Sequence, residues 1–471
     1  MRKISAVCWL NLLLAPFAWS QAESPQPFVI SVVDSESKRP VPLVEFRSTH
    51  NVRYVTDNSG IIVIDDPELN GKKVYFHISS HGYEVSKDGL GFRGTRFQIE
   101  PGQSAKFEIQ RINRAERMYR TTGFGRYHHS VRAGLREQDP LDSSGVSGCD
   151  SVLTVPFGDR MFWVWGDTNR ISYPLGNFHA TGATTPLNLD LEQMREFQFF
   201  QDGEGFVKPI AKLPGEGPTW LTGLVAIPDA SGTEHLVATY QKIRGALTLY
   251  ETGLCEWDPS LKAFQKVRKL DLESEPPFGH PFRYTDAEGA AWLLYADPLP
   301  RLRIPWSYEA WLDPTQHEPV QSDADFVDLD SGESVQPHRG TIAWNEFRKR
   351  WVMIFTQQAL DIVRLNERRD QTDPLQRESE DLRSQLGEVY FAESDSPFGP
   401  WRDCLKVATH QRYSFYNPKQ HPEFQIDDGR VIYFEGTYTQ TFSRALVPTP
   451  RYDYNQVMYW LDLSRIPVAE D

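Results

Sequence analysis

Cysteine is scarce in this chain: four residues in 471, and only Cys149, Cys255 and Cys404 beyond the first 22. An odd number at no metal-ligand spacing excludes a disulfide framework and a cysteine-based metal centre. Cys149 stands beside Asp150, where it reads as a buried small hydrophobe rather than a nucleophile. Long apolar runs are missing too. After residue 22 none approaches the roughly 20 residues of a membrane span, so no span is expected. Positive charge is in short supply, with 50 Lys and Arg against 64 Asp and Glu and a formal net charge of -14. That balance argues against nucleic acid or an anionic membrane as partner, because both are bound by neutralising phosphates. A local site for an anionic sugar stays open.

Aromatic residues are plentiful, 13% of the chain with 13 Trp, as suits a β-rich protein that offers stacking faces to ring-shaped ligands. The length is too great for one ordinary core and points to two domains. Residues 1–22 carry Arg2 and Lys3, an apolar run and the small-x-small site Ser20-Gln21-Ala22. This is the pattern of an export signal, so a secreted or periplasmic location is expected.

Residues 27–112 read as a β-sandwich of short alternating segments such as "FVISVVD", "GIIVID" and "KFEIQRI", separated by turn residues. Residues 113–144 read as a linker. From 145 to 465 strand groups recur at about fifty residues. They are "SVLTVPF" with "RMFWVWGDT", "TGLVAIPD" with "EHLVATYQK", "HPFRYTD" with "AAWLLYAD" and "YEAWLD", "GTIAWNEFRKRWVMIFTQQ" with "GEVYFAESDSPFGPW", and "HPEFQIDDGRVIYFEGTYT" with "YNQVMYWLDL". Five such groups predict an all-β chain whose second part is a five-bladed β-propeller with a central channel. The charged stretch 361–385 reads as a helical insertion with a solvated face.

The most informative stretch is "GCDSVLTVPFGDRMFWVWGDTN", residues 148–169. Gly158-Asp159 between two apolar runs marks a two-residue hairpin turn. Facing positions in such a hairpin share a constant sum, and 158 + 159 = 150 + 167, so Asp150 and Asp167 should lie opposite each other. Like charges at that spacing are destabilising in a purely structural hairpin. Two carboxyl groups held together split their affinities for a proton, which is what acid and base work on a glycosidic bond requires. Asp167 follows an apolar run and is the expected acid, leaving Asp150 as base or nucleophile. The plainer reading is a pair of turn or capping residues, and Pro156 could shift the register by a bulge.

Glu423 and Glu435 are reserve carboxylates, and His421 and Tyr438 surround the same strands near the first group. Structural hydrogen bonding explains each of these four equally well. "GHPF" at His280, "QPHRG" at His338 and "QHPEF" at His421 share a phrase, either a repeated turn or a ring of histidines that binds a metal or donates to substrate hydroxyls; the turn is preferred and no metal is assigned. Arg339 and Arg451, with Arg126 and His128, are candidate clamps for a sugar carboxylate or sulfate. Asn169, Tyr173, Asn177 and His179 lie on the loop after Asp167, where binding residues are commonly carried. No cofactor is expected, and the oligomeric state is not legible.

Four resemblances bear on this chain. "VVDSESKRPVPLVEFRS", "TDNSG" and "HGYE" resemble the transthyretin-like or carboxypeptidase-regulatory-like domain, which implies an accessory role for residues 27–112. "GEVYFAESDSPFGPW" resembles a fourth-blade phrase of the family 43 glycosidase propellers. "WVWGDTN", with the aspartate of "GCDSV" seventeen residues upstream, is similar to the propellers linked to endo-D-arabinanases, which implies catalytic roles for Asp150 and Asp167 and a furanoside substrate. The broader run from "AERMYRTTGFGRYHHSV" to "YDYNQVMYWLDL" resembles secreted bacterial proteins of the same two-part layout. The chain departs from the simplest family 43 pattern, whose second-blade aspartate and third-blade glutamate are not matched. Two rivals follow: a propeller that only binds glycan or protein, and a polysaccharide lyase with Tyr438 or His421 as base.

Overall fold

The computed structural model describes residues 26–191, 197–245, 247–357, 386–411, 413–443 and 445–467. The expected export signal and the charged stretch 361–385 lie outside the described residues. The chain is all-β, 50% strand and 8% helix. Among the described residues no helix is long and apolar enough to cross a membrane.

Residues 28–111 form two four-stranded sheets. Phe28–Asp34 pairs with Ile61–Ile64 and Ser104–Arg111, and Glu45–Ser48 pairs with Arg53–Val55 and Lys73–Ser79. Alternate residues of Phe28–Asp34 are buried, as a strand with one covered face requires. Ile30 and Val32 of one sheet meet Phe46, Phe76 and Ile78 of the other in a single apolar core.

Among the described residues five larger sheets follow along the chain, besides a two-stranded ladder of Val146–Cys149 with Thr168–Arg170. The first pairs Val152–Phe157, Arg160–Trp165, Thr181–Pro186 and Gln198–Phe199 in order. The second runs from Thr219–Pro228 to Ala263–Leu270, and the third from His280–Thr285 to Glu318–Pro319. The fourth has six strands, because Ala324–Asp328 joins Trp401–Thr409 in parallel and carries Ser334–Val335 with it. In the fifth, Ser414–Gln420, Val431–Thr439 and Asn455–Asp462 are completed by Glu116–Arg120, a strand that precedes the first sheet in the chain. The leading strands touch in sequence. Val152–Phe157 meets Thr219–Pro228, which meets His280–Thr285, then Pro337–Asn345, then Ser414–Gln420, which returns to Val152–Phe157.

One expected strand is a helix. "YEAWL" forms the turn Tyr308–Leu312, because the Ser307 side chain accepts from the Ala310 N–H and caps it; the third strand of that sheet is Pro300–Pro305 instead. Cys149, Cys255 and Cys404 are all free and buried.

Candidate active site

The hairpin that opens the first sheet keeps the register set by its turn. Phe157 faces Arg160 and Val152 faces Trp165, with Gly158 in the left-handed region at φ 60°. Pro156 faces Met161 without a bulge. Beyond Val152 and Trp165 the ladder breaks and resumes at Cys149 opposite Thr168. Asp150 and Asp167 fall in the gap, facing each other: the Asp150 N–H donates to the Asp167 carbonyl at 3.1 Å, and the Gly166 N–H to the Asp150 carbonyl at 2.9 Å.

The two carboxyl groups have unlike surroundings. Asp150 Oδ1 accepts the Asp167 backbone N–H at 2.8 Å, and Oδ2 accepts the Tyr416 hydroxyl at 2.8 Å. Tyr454 also bonds to this carboxyl group. Bond lengths then hold the two carboxyl carbons within roughly 8 Å of each other. Asp167 Oδ1 is buried with no hydrogen-bond partner. Burial, and next the charge of Asp150, push the Asp167 carboxyl up to about 7, against a hydrogen bond from Trp220. Burial raises Asp150 as well, but its three donors all favour the anion and oppose that rise. Burial thus makes both carboxyl groups hold a proton more tightly than a free aspartate, and the donors around Asp150 favour the charge on that side of the pair. Gly166 is required between them, because a Cβ there would stand 2.2 Å from Asp150 Oδ1.

Both aspartates line a cavity of about 500 Å³ to which all five sheets contribute. Trp220 and Gln241 come from the second sheet, His280 and Asp297 from the third, His338 and Arg339 from the fourth, and Tyr416 and Asn417 from the fifth. Bulges at Thr222/Val225, Tyr295/Ala296, Pro337/Gly340 and Tyr416/Lys419 bend the strands beside it, the usual device for re-aiming side chains at a site. A second cavity of about 460 Å³ shares Gln241, Phe278, Asp297, His338 and Arg339 with the first. Together they offer room for more than one sugar ring. Arg339 Nη1 donates to Asp297 Oδ2 at 3.0 Å. Burial raises the Asp297 carboxyl while Arg339 lowers it, and burial brings His338 down to about 4.

Of the residues singled out from sequence, Asp150, Asp167, His280, His338 and Arg339 meet at this cavity. The others stand elsewhere. Glu423 is exposed in the 3-10 turn Pro422–Phe424. Glu435 and His421 are sealed inside the fifth sheet, joined at 3.0 Å, and His421 Nδ1 lies 3.3 Å from Thr154 Oγ1. His280 and His338 sit at the start of their strands, whereas His421 follows the end of Ser414–Gln420, so the shared phrase does not place three histidines in one ring. Tyr438 is buried, stacked on Tyr413 and bonded to Thr449. Asn177 is buried and holds its own loop through Ala180 and Thr181; Asn169 and His179 are half-buried outside the cavity wall, and Tyr173 is exposed. Arg451 is exposed, His128 bonds the Gly125 carbonyl, and Arg126 is paired with Asp139 at 2.8 Å in the interior.

Sequence reasoning missed Tyr416, Tyr454, Trp220 and Asp297. Asp297 carries a legible signal, since it ends the apolar run "AAWLLYAD" much as Asp167 ends "FWVWGD". Among the described residues the side chains best placed to share a cation are His50, Asp66 and Glu68, in the N-terminal pair of sheets and away from the cavity wall.

No protein-family model matches the chain, and no curated protein is similar to it. Solved structures do align. An exo-β-1,3-galactanase from Phanerochaete chrysosporium, determined with galactose, aligns at 10% identity over 67% of this chain and 61% of its own, with a TM-score of 0.38. A GH43_1 enzyme from Xanthomonas citri complexed with xylotriose aligns at 8% identity over 66% and 86%, with a TM-score of 0.36. Likeness at this level assigns no activity to the chain.

Proposed function

We propose that this chain is an exported glycoside hydrolase. Its five successive sheets are read as the blades of a five-bladed propeller made of 145–465 together with Glu116–Arg120, the strand from the expected linker that completes the fifth sheet, residues 27–112 as an accessory β-sandwich, and the rest of 113–144 as the connection. The observation that carries the reading is the asymmetric pair: Asp150 supplied with three donors, and Asp167 raised to about 7 with an oxygen that nothing inside the protein satisfies. Asp167 protonates the oxygen of the leaving sugar as the bond to the anomeric carbon breaks, and Asp150 supplies the charge that directs or makes the attack on that carbon. His280, His338, Arg339 and Trp220 line the same cavity and are placed to bind and orient sugar hydroxyls. A furanoside polymer is the preferred substrate on the resemblance of "GCDSV … WVWGDTN". A lyase is disfavoured, because Tyr438 and His421, the bases it would use, are buried and engaged with Thr449 and Glu435.

The test is reducing-end release from plant, algal and bacterial polysaccharides by wild type, Asp150→Asn and Asp167→Asn. Wild type alone should release sugar, with each variant slower by about 100-fold to 10,000-fold. Equal release by the variants overturns the assignment.

A further inference from the structure

Asp150 and Asp167 are the same side chain in the same hairpin, against one cavity, yet the hydrogen-bond donors are unevenly shared. We propose that Tyr416 and Tyr454 are a positioning pair that holds Asp150 as the anion and so leaves the single proton of the pair on Asp167. The proposal deepens the hydrolase reading and rests on it for the roles of acid and base.

Both phenols come from the fifth sheet. Tyr416 lies on Ser414–Gln420 immediately before a bulge, and Tyr454 immediately precedes Asn455–Asp462. Both line the cavity. Their delivery needs backbone that side chains seldom adopt. Tyr454 has φ 57°, Asn417 beside Tyr416 has φ 51°, and Ser151 beside Asp150 has φ 41°. A bulky residue in the left-handed region is strained, and such strain persists only where surrounding bonds enforce it. The enforcing bonds are present: Asn417 Nδ2 donates to Ser151 Oγ at 2.6 Å, and the Ser151 N–H to Thr437 Oγ1 at 2.9 Å. Thr437 is fixed in turn by Gln456 Nε2 at 2.9 Å. Three residues with left-handed backbone, from two sheets, thus converge on one result, the approach of two hydroxyl groups to one carboxylate.

Nothing cationic shares that task. Asp150 has no ion-pair partner among the described residues. The titratable groups that bear on it are Asp167 and Cys149 from its own hairpin and the two phenols from the fifth sheet. Trp220 from the second sheet bonds Asp167 instead, and His280, Asp297, His338 and Arg339 belong to the third- and fourth-sheet side of the cavity. The burial of both phenols and the charge of Asp150 push their own ionisation upward, so they remain protonated and donate throughout the working range. A hydrogen bond to a carboxylate lowers its proton affinity, and Asp167, with the one bond from Trp220 against three donors on Asp150, keeps the proton.

The deciding experiment is an infrared titration of the full chain's carboxyl groups in wild type, Tyr416→Phe, Tyr454→Phe and the double variant. Asp150→Asn and Asp167→Asn supply the assignments. Each lost hydroxyl should move Asp150 ionisation up by about one pH unit, with the proton becoming shared between the two aspartates in the double variant. Unchanged Asp150 titration in folded variants overturns the proposal, and if the double variant does not fold the two single variants decide. The titration needs no substrate, so its failure leaves the hydrolase reading standing, and absence of turnover leaves the titration valid. On a substrate that wild type cleaves, the acid limb of kcat/KM should move to higher pH in the phenylalanine variants. A purely structural role for the rings would leave that limb in place.

Discussion

The first and fifth sheets each place a carboxylate next to a glycine after an apolar run, Asp167 after Met161–Gly166 and Glu435 between Val431–Phe434 and Gly436, yet the two end in opposite surroundings. Asp167 lies two residues past the last hairpin pair, Val152 with Trp165, and faces the cavity. Glu435 lies in the middle of Val431–Thr439, paired with Lys419 on one side and Met458 on the other. Its side chain has only the interior to enter, where His421 takes one oxygen and the other is left without a partner. The difference teaches that a carboxylate serves a cavity when its strand ends just before it. Continued pairing makes the same residue type part of the core.

Gly166 tests the first half of this contrast most severely. Replacing it by alanine puts a methyl group 2.2 Å from Asp150 Oδ1, a carboxylate held on its other side by Tyr416. Asp150 has to move, and displacement of a reacting group by about 1 Å costs on the order of a hundredfold in rate. Gly166→Ala should lose that much kcat on whichever polysaccharide wild type cleaves, with near-native circular dichroism. Full activity would show that the position of Asp150 is immaterial.

Glu435 tests the second half. Alanine there leaves His421 without its acceptor and opens a void beside the ring, which should lower stability by about 3 kcal/mol in denaturant titration. Turnover per folded molecule at low temperature should stay within a few-fold of wild type. A large loss of turnover in stably folded Glu435→Ala would move Glu435 from the core into the chemistry.

The same contrast marks where the letters suffice. The all-β class, the hairpin and the facing of Asp150 and Asp167 follow from alternation, a Gly-Asp turn and an arithmetic of register, all local properties. What turned the pair into a site was not local. Tyr416 and Tyr454 stand more than 260 residues from Asp150, and they reach it only because the fifth sheet borders the first and its backbone bends at Tyr416/Lys419. The helix at Tyr308–Leu312 was hidden by aromatic letters that suit a strand, and decided by a serine cap. His421 shares its phrase with His280 and His338 but occupies the far end of its strand, a position that sequence alone does not distinguish.

The smallest effect separates Asp167 from an ordinary surface aspartate. Its carboxyl is raised from 3.8 to about 7, so the folded protein holds a proton that the unfolded chain releases. The associated stability is fully present below about pH 4 and is lost as the pH rises through 7, the reverse of a salt-bridged aspartate. A shift of this size corresponds to at most about 4 kcal/mol, and about 2 kcal/mol is expected because the group faces an open cavity. Asp167→Asn carries no charge to desolvate. Its denaturation free energy should therefore exceed that of wild type by about this amount at pH 8, and the two should converge near pH 4. Parallel stability curves for the two proteins across that range would mean that Asp167 ionises freely, which would remove it as the acid and leave Asp297, a third cavity carboxyl raised by burial, to be tested in its place.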